Sequence, residues 1–281
     1  MITTNKLRLG LIGDNITHSQ APRLHRAAGQ LVGLDVIYDR LIPKDLGLTF
    51  NEVFDQVQAT GFRGINVTYP YKELVTRSVT VTDPLVHGIG VVNTVVFEAD
   101  GAFGFNTDYT GFVSAYQTIL GDAEAWTVCL IGAGGMGKAA AFGLISLEAK
   151  CIRCLDLDQT KAEDLATSLS ALGASCTIET HSNPTEAAKG ADGIINCTPL
   201  GMVGIGGTPL AKEHMIGGKW AFDAVYTPVE TRFFQDAISA ELTVISGYEL
   251  FFGQGVDAWK IFSGRDADQT ALRAAIRGFE P

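Results

Sequence analysis

Short apolar runs alternate with stretches of helical periodicity along the first part of the chain. Such runs predict strands, and amphipathic stretches between them predict helices. The predicted strands cover 7–12, 35–41, 64–67 and 92–97, and the predicted helices cover 22–32 and 46–60. The segment Glu98-Ala-Asp-Gly-Ala-Phe-Gly, with Asp100-Gly101 at its turn, predicts a hairpin that adds an antiparallel edge to a mostly parallel sheet. The first part is therefore predicted to be an α/β domain.

The same alternation continues after a predicted helix over 108–120, which would bridge two domains. The second set of predicted strands covers 126–131, 151–156, 193–196, 219–223 and 242–245. Strands alternating with helices are typical of a doubly wound parallel sheet of the Rossmann type. Helices predicted over 248–262 and 268–279 could return to the first domain. The predicted boundaries are 1–108, 109–246 and 247–281.

Three glycines stand between a predicted strand and an alanine-rich helix. Gly132, Gly134 and Gly137 form a G-x-G-x-x-G pattern directly before residues 138–147. In this context the pattern predicts a dinucleotide-binding turn, because backbone N–H groups at a helix N-terminus attract phosphate. The turn residues predicted to bind are Gly132, Ala133, Gly134, Gly135, Met136 and Gly137. The alternative is an ordinary strand-to-helix turn without a ligand.

An acidic residue follows the next predicted strand. Asp156 lies roughly 20 residues past the glycines, where a carboxylate that binds the adenosine ribose is expected. A carboxylate would repel a 2′-phosphate, and Leu157 brings no cation to bind one, so the pattern favours NAD over NADP. Alternatively, Asp156 or Asp158 lies in a polar turn before a helix that starts near Lys161.

Composition narrows the classes of function. The chain has 281 residues, 46% of them apolar, and a formal net charge of -10, which disfavours nucleic acid and anionic membranes as partners. No apolar stretch approaches the roughly 20 residues of a membrane span, so we expect a soluble, cytoplasmic protein. The five cysteines are predicted to be reduced, and no cysteine or histidine spacing predicts a metal site.

Polar clusters follow several predicted strands of the first domain. Thr68 and Lys72 come after the strand at 64–67, and Asp108 begins the predicted bridging helix. Open α/β sheets bind ligands at the carboxyl ends of their strands, and a negative charge is favoured at a helix N-terminus. These clusters therefore predict a ligand site.

The chain closely resembles the shikimate/quinate dehydrogenases over nearly its whole length. Seven ordered motifs carry the resemblance: His18-Ser19-x-x-Pro22-x-x-His25, Asn66-Val-Thr-x-Pro-x-Lys72, Val92-Asn93-Thr94, Asn106-Thr-Asp108-x-x-Gly111, Asn196-x-Thr-Pro-x-Gly-Met202, Asp223-x-x-Tyr226-x-Pro-x-x-Thr231, and Gln254 after Gly247. The resemblance implies that Lys72 and Asp108 are a catalytic pair. The residues it implies around the substrate are Ser19, Thr68, Asn93, Tyr226 and Gln254. Lys161, Thr198 and Met202 complete the expected cofactor-binding set.

The chemistry that this resemblance implies needs a proton carrier. A secondary ring alcohol loses a hydride to nicotinamide and a proton to a base, and Lys72 would take that proton. A neighbouring carboxylate favours the charged ammonium, whereas burial favours the neutral amine. The alternative interpretation is that Lys72 and Asp108 form an ordinary surface ion pair. Thr68, Asn93 and Asn196 could likewise serve only to cap turns and strand ends.

Two positions depart from the family pattern. Relatives place a second hydroxyl residue where this chain has Ala21, which we predict to be the N-cap of a helix beginning at Pro22. This puts recognition of shikimate and of quinate in question. Biosynthetic, NADP-using relatives have Asn-Arg-Thr where this chain has Asp156-Leu157-Asp158, so the resemblance points to NAD-using relatives.

The leading hypothesis is an NAD-dependent dehydrogenase acting on a small anionic cyclic hydroxy acid, with shikimate or quinate as first candidates. A dehydrogenase of another ring polyol is the nearest alternative. A second alternative is a protein of the same fold that senses NAD or a ligand without turnover. The Lys72 and Asp108 pair argues against it, because a sensor needs no proton carrier. A folate-type dehydrogenase has support only from the fold. The sequence is compatible with a monomer or a homodimer.

Overall fold

A computed structural model describes residues 6–173 and 175–277. The chain divides into two compact units. Among the described residues, the first comprises 6–107 and 255–277, and the second comprises Asp108–Gln254. The domain boundaries predicted above stay a prediction.

The described residues form eleven strands and eleven α-helices. The strands are Lys6–Ile12 (β1), Asp35–Leu41 (β2), Gly64–Val67 (β3), Thr94–Glu98 (β4), Gly101–Phe105 (β5), Thr127–Ile131 (β6), Cys151–Leu155 (β7), Thr177–Thr180 (β8), Gly193–Asn196 (β9), Trp220–Asp223 (β10) and Thr243–Ile245 (β11). The helices are Ala21–Leu31 (α1), Pro43–Leu46 (α2), Phe50–Ala59 (α3), Pro84–Ile89 (α4), Thr107–Leu120 (α5), Gly135–Ser146 (α6), Gln159–Ser170 (α7), Pro184–Ala188 (α8), Arg232–Ser239 (α9), Gly247–Ser263 (α10) and Gln269–Ala275 (α11).

The sheet of the first unit has the order β2-β1-β3-β4-β5. Strand β1 pairs in parallel with β2 and β3, whereas the hairpin of β4 and β5 adds two antiparallel pairings. Helix α3 buries Phe50, Val53 and Phe54 in one apolar cluster with Ile65 of β3. Because β1, β2 and β3 run in the same direction, the loops after them emerge at one edge of this sheet.

The sheet of the second unit has the order β11-β10-β9-β6-β7-β8, and all its pairings are parallel. The strand order reverses between β6 and β9, which is where doubly wound sheets bind nucleotides. The α/β fold class, with a mixed sheet and a Rossmann-type parallel sheet, is therefore confirmed.

Several local predictions were wrong. The helix predicted over 46–60 begins later, at Phe50, because Gly47 in the left-handed conformation ends α2 after Leu46 and Thr49 begins α3 with a capping box to Glu52. The hairpin turn is Ala99-Asp100, since Gly101 pairs with Glu98 in the ladder. The prediction missed α4, α8 and β8, and it extended the last helix beyond Ala275, to residues 278 and 279 outside the described part.

All five cysteines are free thiols. Burial raises the pKa of Cys129 and of Cys154 to about 12, so both are packing residues rather than nucleophiles. Across residues 6–173 and 175–277, no helix combines the length and apolar character needed to cross a bilayer. Within the same residues, no three or more His, Cys, Asp or Glu side chains are grouped to hold a metal ion.

Candidate functional site

The loop after β3 carries two of the predicted site residues of the first unit, Thr68 and Lys72. The Thr68 N–H donates to the Ile12 carbonyl at 2.9 Å, which joins this loop to the end of β1. The carbonyl of Lys72 accepts from the Val92 N–H at 3.0 Å, directly before Asn93. The structure therefore places Thr68, Lys72 and Asn93 on backbone segments that are hydrogen-bonded to one another or to a common strand end.

The side-chain amide of Asn93 is buried, and its oxygen is fully engaged. Oδ1 accepts from the Thr107 backbone N–H at 2.7 Å and from the hydroxyls of Thr107 and Thr94 at 3.2 Å each. Three donors around one oxygen decide the orientation of the amide. Its NH2 group is the part that can serve a ligand, and as a donor it suits a hydroxyl or carboxylate oxygen.

A buried network of hydrogen bonds holds the Thr94 hydroxyl in place. The Tyr38 hydroxyl donates to Asn66 Oδ1 at 2.8 Å, and Asn66 Nδ2 donates to the Thr94 hydroxyl at 3.0 Å. His25 stacks on Tyr38 with ring centroids 5.1 Å apart. Burial lowers the pKa of His25 to about 3, although a hydrogen bond with Asn66 acts to raise it. His25 is therefore a neutral structural residue.

Replacing His25 by Gln should make folding stability less dependent on pH. The folded protein keeps His25 neutral down to about pH 3, whereas the unfolded chain binds a proton near the ordinary value of 6.5. This contribution to stability is present above pH 6.5 and is lost as pH falls below it. Between pH 8 and pH 5 the loss is about 2 kcal/mol. Urea unfolding measures the free energy of unfolding at both pH values. From pH 8 to pH 5 it should decrease by about 2 kcal/mol less in His25→Gln than in the wild type. An equal decrease in the two proteins would contradict the assignment.

Ser19 lies in the loop between β1 and α1. Its hydroxyl accepts the Ala21 N–H at 3.3 Å, and its carbonyl accepts a 2.7 Å bond from Arg40. The predicted N-cap at Ala21 was wrong: the N-cap is Gln20, without a side-chain capping bond, and Ala21 is the first helical residue. The helix begins one residue earlier because the Gln20 carbonyl accepts the N–H groups of Arg23 and Leu24.

The glycine turn after β6 contains close approaches that exclude larger residues. Gly132 has φ +102, and a Cβ there would lie 2.7 Å from the carbonyl carbon of Cys197. A Cβ on Gly137 would overlap the carbonyl oxygen of Gly132. Gly132 is therefore required by the packing of the turn against the loop after β9, and Gly137 by the close approach of α6 to the turn itself. This packing brings the turn next to Thr198.

Gly134 has a different explanation. Its φ of -73 suits any residue, and a Cβ there would meet no non-neighbouring atom of the described residues within 4 Å. The protein's own packing therefore does not demand glycine at this position. Gly134 is the N-cap of α6, and glycine has no side chain to cap the helix. Open space beside a helix N-terminus fits the approach of a pyrophosphate to the N–H groups of Gly135, Met136 and Gly137, so these residues fit a dinucleotide.

The predicted ribose carboxylate reaches the glycine turn. Oδ2 of Asp156 accepts the Ala133 N–H at 2.7 Å, and Oδ1 accepts the Asp158 N–H at 3.0 Å. Leu157 is fully exposed, at 107% of its reference area. The Lys161 ammonium lies 3.9 Å from the Asp158 carboxylate. Asp156 is thus held at the turn, whereas the positive charge of Lys161 is partly balanced by Asp158.

Asn196, at the end of β9, organises the loop that follows it. Its Oδ1 accepts from the N–H and the hydroxyl of Thr198 at 3.0 and 2.7 Å. Its Nδ2 donates to the Leu200 carbonyl at 3.2 Å. Met202, further along this loop, is 41% exposed. The structure therefore positions Thr198 through Asn196 and leaves the Met202 side chain accessible.

Asp223, to which the sequence analysis assigned no role, anchors Asn196. Its carboxylate accepts from Asn196 Nδ2 at 3.0 Å, from the Val225 N–H at 3.1 Å and from the Thr231 hydroxyl. Burial raises the pKa of Asp223 to about 6, although these three donors act to lower it. Asp223 and Thr231 stand in one of the recognised motifs, and that motif was the only sequence signal that could have found them.

Three predicted site residues of the second unit lie together. Asp108 is buried in the first turn of α5. The pKa of Tyr226 is raised, first by the burial of Tyr226 itself and second by the charge of Asp108. The Tyr226 ring stacks on Phe251 with centroids 5.3 Å apart, and Gln254 Nε2 donates to the Phe251 carbonyl at 2.9 Å. Phe251 thereby links Tyr226 to Gln254, and Asp108 acts on Tyr226 through its charge. Lys72 belongs to the first unit, so its pairing with Asp108 stays a prediction.

Comparison with known proteins supports a single family. Residues 11–95 match the shikimate dehydrogenase substrate binding domain. The shikimate dehydrogenase (NADP+) of Pseudarthrobacter chlorophenolicus is 36% identical over 277 residues, which cover 96% of this chain and 94% of the relative. The quinate/shikimate dehydrogenase (NAD+) of Corynebacterium efficiens is 35% identical over 278 residues, which cover 97% and 98%.

A solved structure agrees with these sequences. The quinate dehydrogenase from Corynebacterium glutamicum in complex with NAD has a TM-score of 0.90 and 30% identity, covering 97% of this chain and 99% of that one. The relatives are named for NAD or for NADP, so the family comparison leaves both cofactors open. Full-length identity above 30% and the shared fold confirm the resemblance seen in the motifs: the chain belongs to the shikimate dehydrogenase family of oxidoreductases.

Proposed function

We propose that this protein uses NAD to oxidise a ring secondary alcohol of shikimate, quinate or a related cyclic polyhydroxy acid, reversibly, to the 3-dehydro product. The observation that carries the cofactor assignment is the Asp156 carboxylate, hydrogen-bonded to the Ala133 N–H of the glycine turn. An anion at this position accepts hydrogen bonds from ribose hydroxyls and repels a 2′-phosphate. Leu157 beside it offers no compensating cation.

Each unit offers hydrogen-bonding groups that suit a ring acid. In the first unit the Asn93 NH2 group and the hydroxyls of Ser19 and Thr68 provide donors for ring hydroxyls or the carboxylate. In the second unit Tyr226 and Gln254 provide a hydroxyl and an amide. This chain has Ala21 where the family pattern has a second hydroxyl residue, so the choice among ring acids depends on the remaining donors.

The reaction needs a hydride acceptor and a proton acceptor. NAD, held by the glycine turn and Asp156, would supply the hydride acceptor. The Lys72 amine accepts the hydroxyl proton during oxidation, and its ammonium returns a proton to the carbonyl oxygen during reduction. Asp108, in the first turn of α5, is the carboxylate that the family resemblance assigns to the catalytic pair. Because oxidation of the alcohol releases a proton, alkaline pH should accelerate it.

A panel of ring hydroxy acids tests this proposal. Shikimate, quinate and related cyclohexane carboxylates are incubated with NAD, and NADH formation is followed at neutral and alkaline pH. We expect turnover of at least one acid, faster at the alkaline pH. A ring polyol without a carboxylate is the matched control for recognition of the anion. NAD binding without turnover of any acid would contradict the proposal and favour a sensing protein.

A further inference from the structure

Three side chains link the loops that follow the three parallel strands of the first unit. Asp14 follows β1, Lys44 lies in α2 after β2, and Tyr71 follows β3. The Tyr71 hydroxyl donates to Asp14 Oδ1 at 2.7 Å, and the Lys44 ammonium donates to Asp14 Oδ2 at 2.6 Å. Each carboxylate oxygen thus binds one neighbouring loop. The Asp14 side chain is only 11% exposed, whereas that of Lys44 is 75% exposed.

The chemical states of these groups keep the link in place. Hydrogen bonds from Lys44 and then from Tyr71 lower the pKa of Asp14, although burial acts to raise it. Burial, together with the Asp14 carboxylate, raises the pKa of Tyr71 to about 12. Near neutral pH Asp14 is therefore an acceptor with full charge and Tyr71 is a donor.

Both the backbone and the ring of Tyr71 contact neighbouring residues. Its N–H donates to the Thr68 carbonyl at 2.9 Å, and its ring stacks on Phe50 with centroids 5.0 Å apart. The Asp14 N–H donates to the Tyr69 carbonyl at 3.1 Å, so the loops after β1 and β3 are joined by backbone as well as by side chains. Lys72 follows Tyr71 directly, and its own carbonyl is bound by Val92. The backbone from which the lysine extends is consequently fixed.

We infer that Tyr71 and Asp14 are positioning residues that act through Lys72, an inference that rests on the proposed role of Lys72. Lysine is a flexible four-carbon chain, so the place where its Cα is anchored decides which region its amine reaches. A displacement of about 1 Å can cost on the order of 10² in rate when a catalytic group is moved. The hydroxyl of Tyr71 is the contact that holds the residue before Lys72 to the β1 loop.

Tyr71→Phe is the direct test, because it keeps the stacked ring and the backbone bonds and removes only the hydroxyl. We expect kcat to fall about tenfold while KM for NAD, which the glycine turn of the second unit would bind, stays unchanged. Asp14→Ala should cause at least the same loss, because it removes the Lys44 contact as well as the Tyr71 contact. The double variant should lose no more than Asp14→Ala alone, because that variant already lacks the Tyr71 contact. Asp14→Asn keeps an oxygen for the Tyr71 donor and should restore kcat to within about threefold of wild type.

The control is Tyr69→Phe, which removes a hydroxyl from the same loop but from a side chain that is 71% exposed, and it should leave kcat unchanged. Thermal unfolding establishes the folded fraction of every variant, so that kcat refers to folded protein. Wild-type kcat in Tyr71→Phe beside an inactive Lys72→Ala would overturn this inference and leave the proposed function intact. Losses that add in the double variant would also overturn it. An active Lys72→Ala would overturn the proposed function itself.

Discussion

Replacing Lys72 by Ala should lower kcat for the ring alcohol by roughly 10²- to 10⁴-fold, the range over which a positioned general acid or base accelerates proton transfer. Binding of NAD should change little, because the glycine turn and Asp156 belong to the second unit. The loss should therefore appear in kcat and not in the dissociation constant of NAD. Steady-state rates at saturating substrate measure kcat, and a fluorescence titration with NADH measures binding of the cofactor in its reduced form.

Chemical rescue makes the Lys72 experiment specific. Because Lys72→Ala removes the amine together with its carbon chain, an added small primary amine should restore part of the rate in proportion to its concentration. Lys260→Ala is the matched control: it removes an exposed ammonium, paired with Asp266 at 2.7 Å, and should leave kcat unchanged. Turnover near the wild-type rate in Lys72→Ala would remove the residue from the proton transfer.

The second large effect concerns the cofactor. Wild-type kcat/KM should favour NAD over NADP by on the order of 10² or more, since two juxtaposed negative charges cost several kcal/mol. Asp156→Asn keeps an oxygen that can accept the Ala133 N–H but removes the charge, so it should narrow this preference mainly by improving NADP. Adding Leu157→Arg supplies a cation for the 2′-phosphate and should reverse the preference.

Asp158→Asn is the matched control for the cofactor experiment. It makes the same chemical change two residues away, on a side chain that lies 3.9 Å from Lys161. The ratio of kcat/KM for the two cofactors should stay close to that of the wild type. A wild-type protein that uses NADP as well as or better than NAD would show that the Asp156 argument is wrong.

The errors in predicted elements have local physical causes. The apolar pattern over 46–60 continues through Gly47, but glycine in the left-handed conformation ends α2, and the capping box of Thr49 and Glu52 starts a new helix. That box was readable in the sequence. Strand β8 was not, because it lies at the edge of its sheet and has no fully buried residue to produce a pattern.

The site residues show a similar division. Motifs located Asn93, Asp156 and Lys72 by residue type, but not the contacts that decide what each side chain offers. The Asn93 amide presents its NH2 group because Thr107, fourteen positions away, supplies an N–H to its oxygen. Asp14 and Tyr71 are 57 positions apart and carry no motif that relates them. Local patterns encode periodicity, whereas such pairings form only when separate strands end at one edge of a sheet.

By itself, the sequence determined the alternation of strands and helices, the glycine turn with its acidic partner, and the family, because backbone sterics and apolar periodicity act over neighbouring residues. Only the tertiary structure decided that Gly134 leaves open space at a helix N-terminus while Gly132 and Gly137 are closed by packing. It also decided which buried polar groups meet, namely Asn196 with Asp223 and Asn66 with Tyr38. Those meetings depend on sheet order and on burial, where an unpaired polar group is costly and a partner from a distant segment must be supplied.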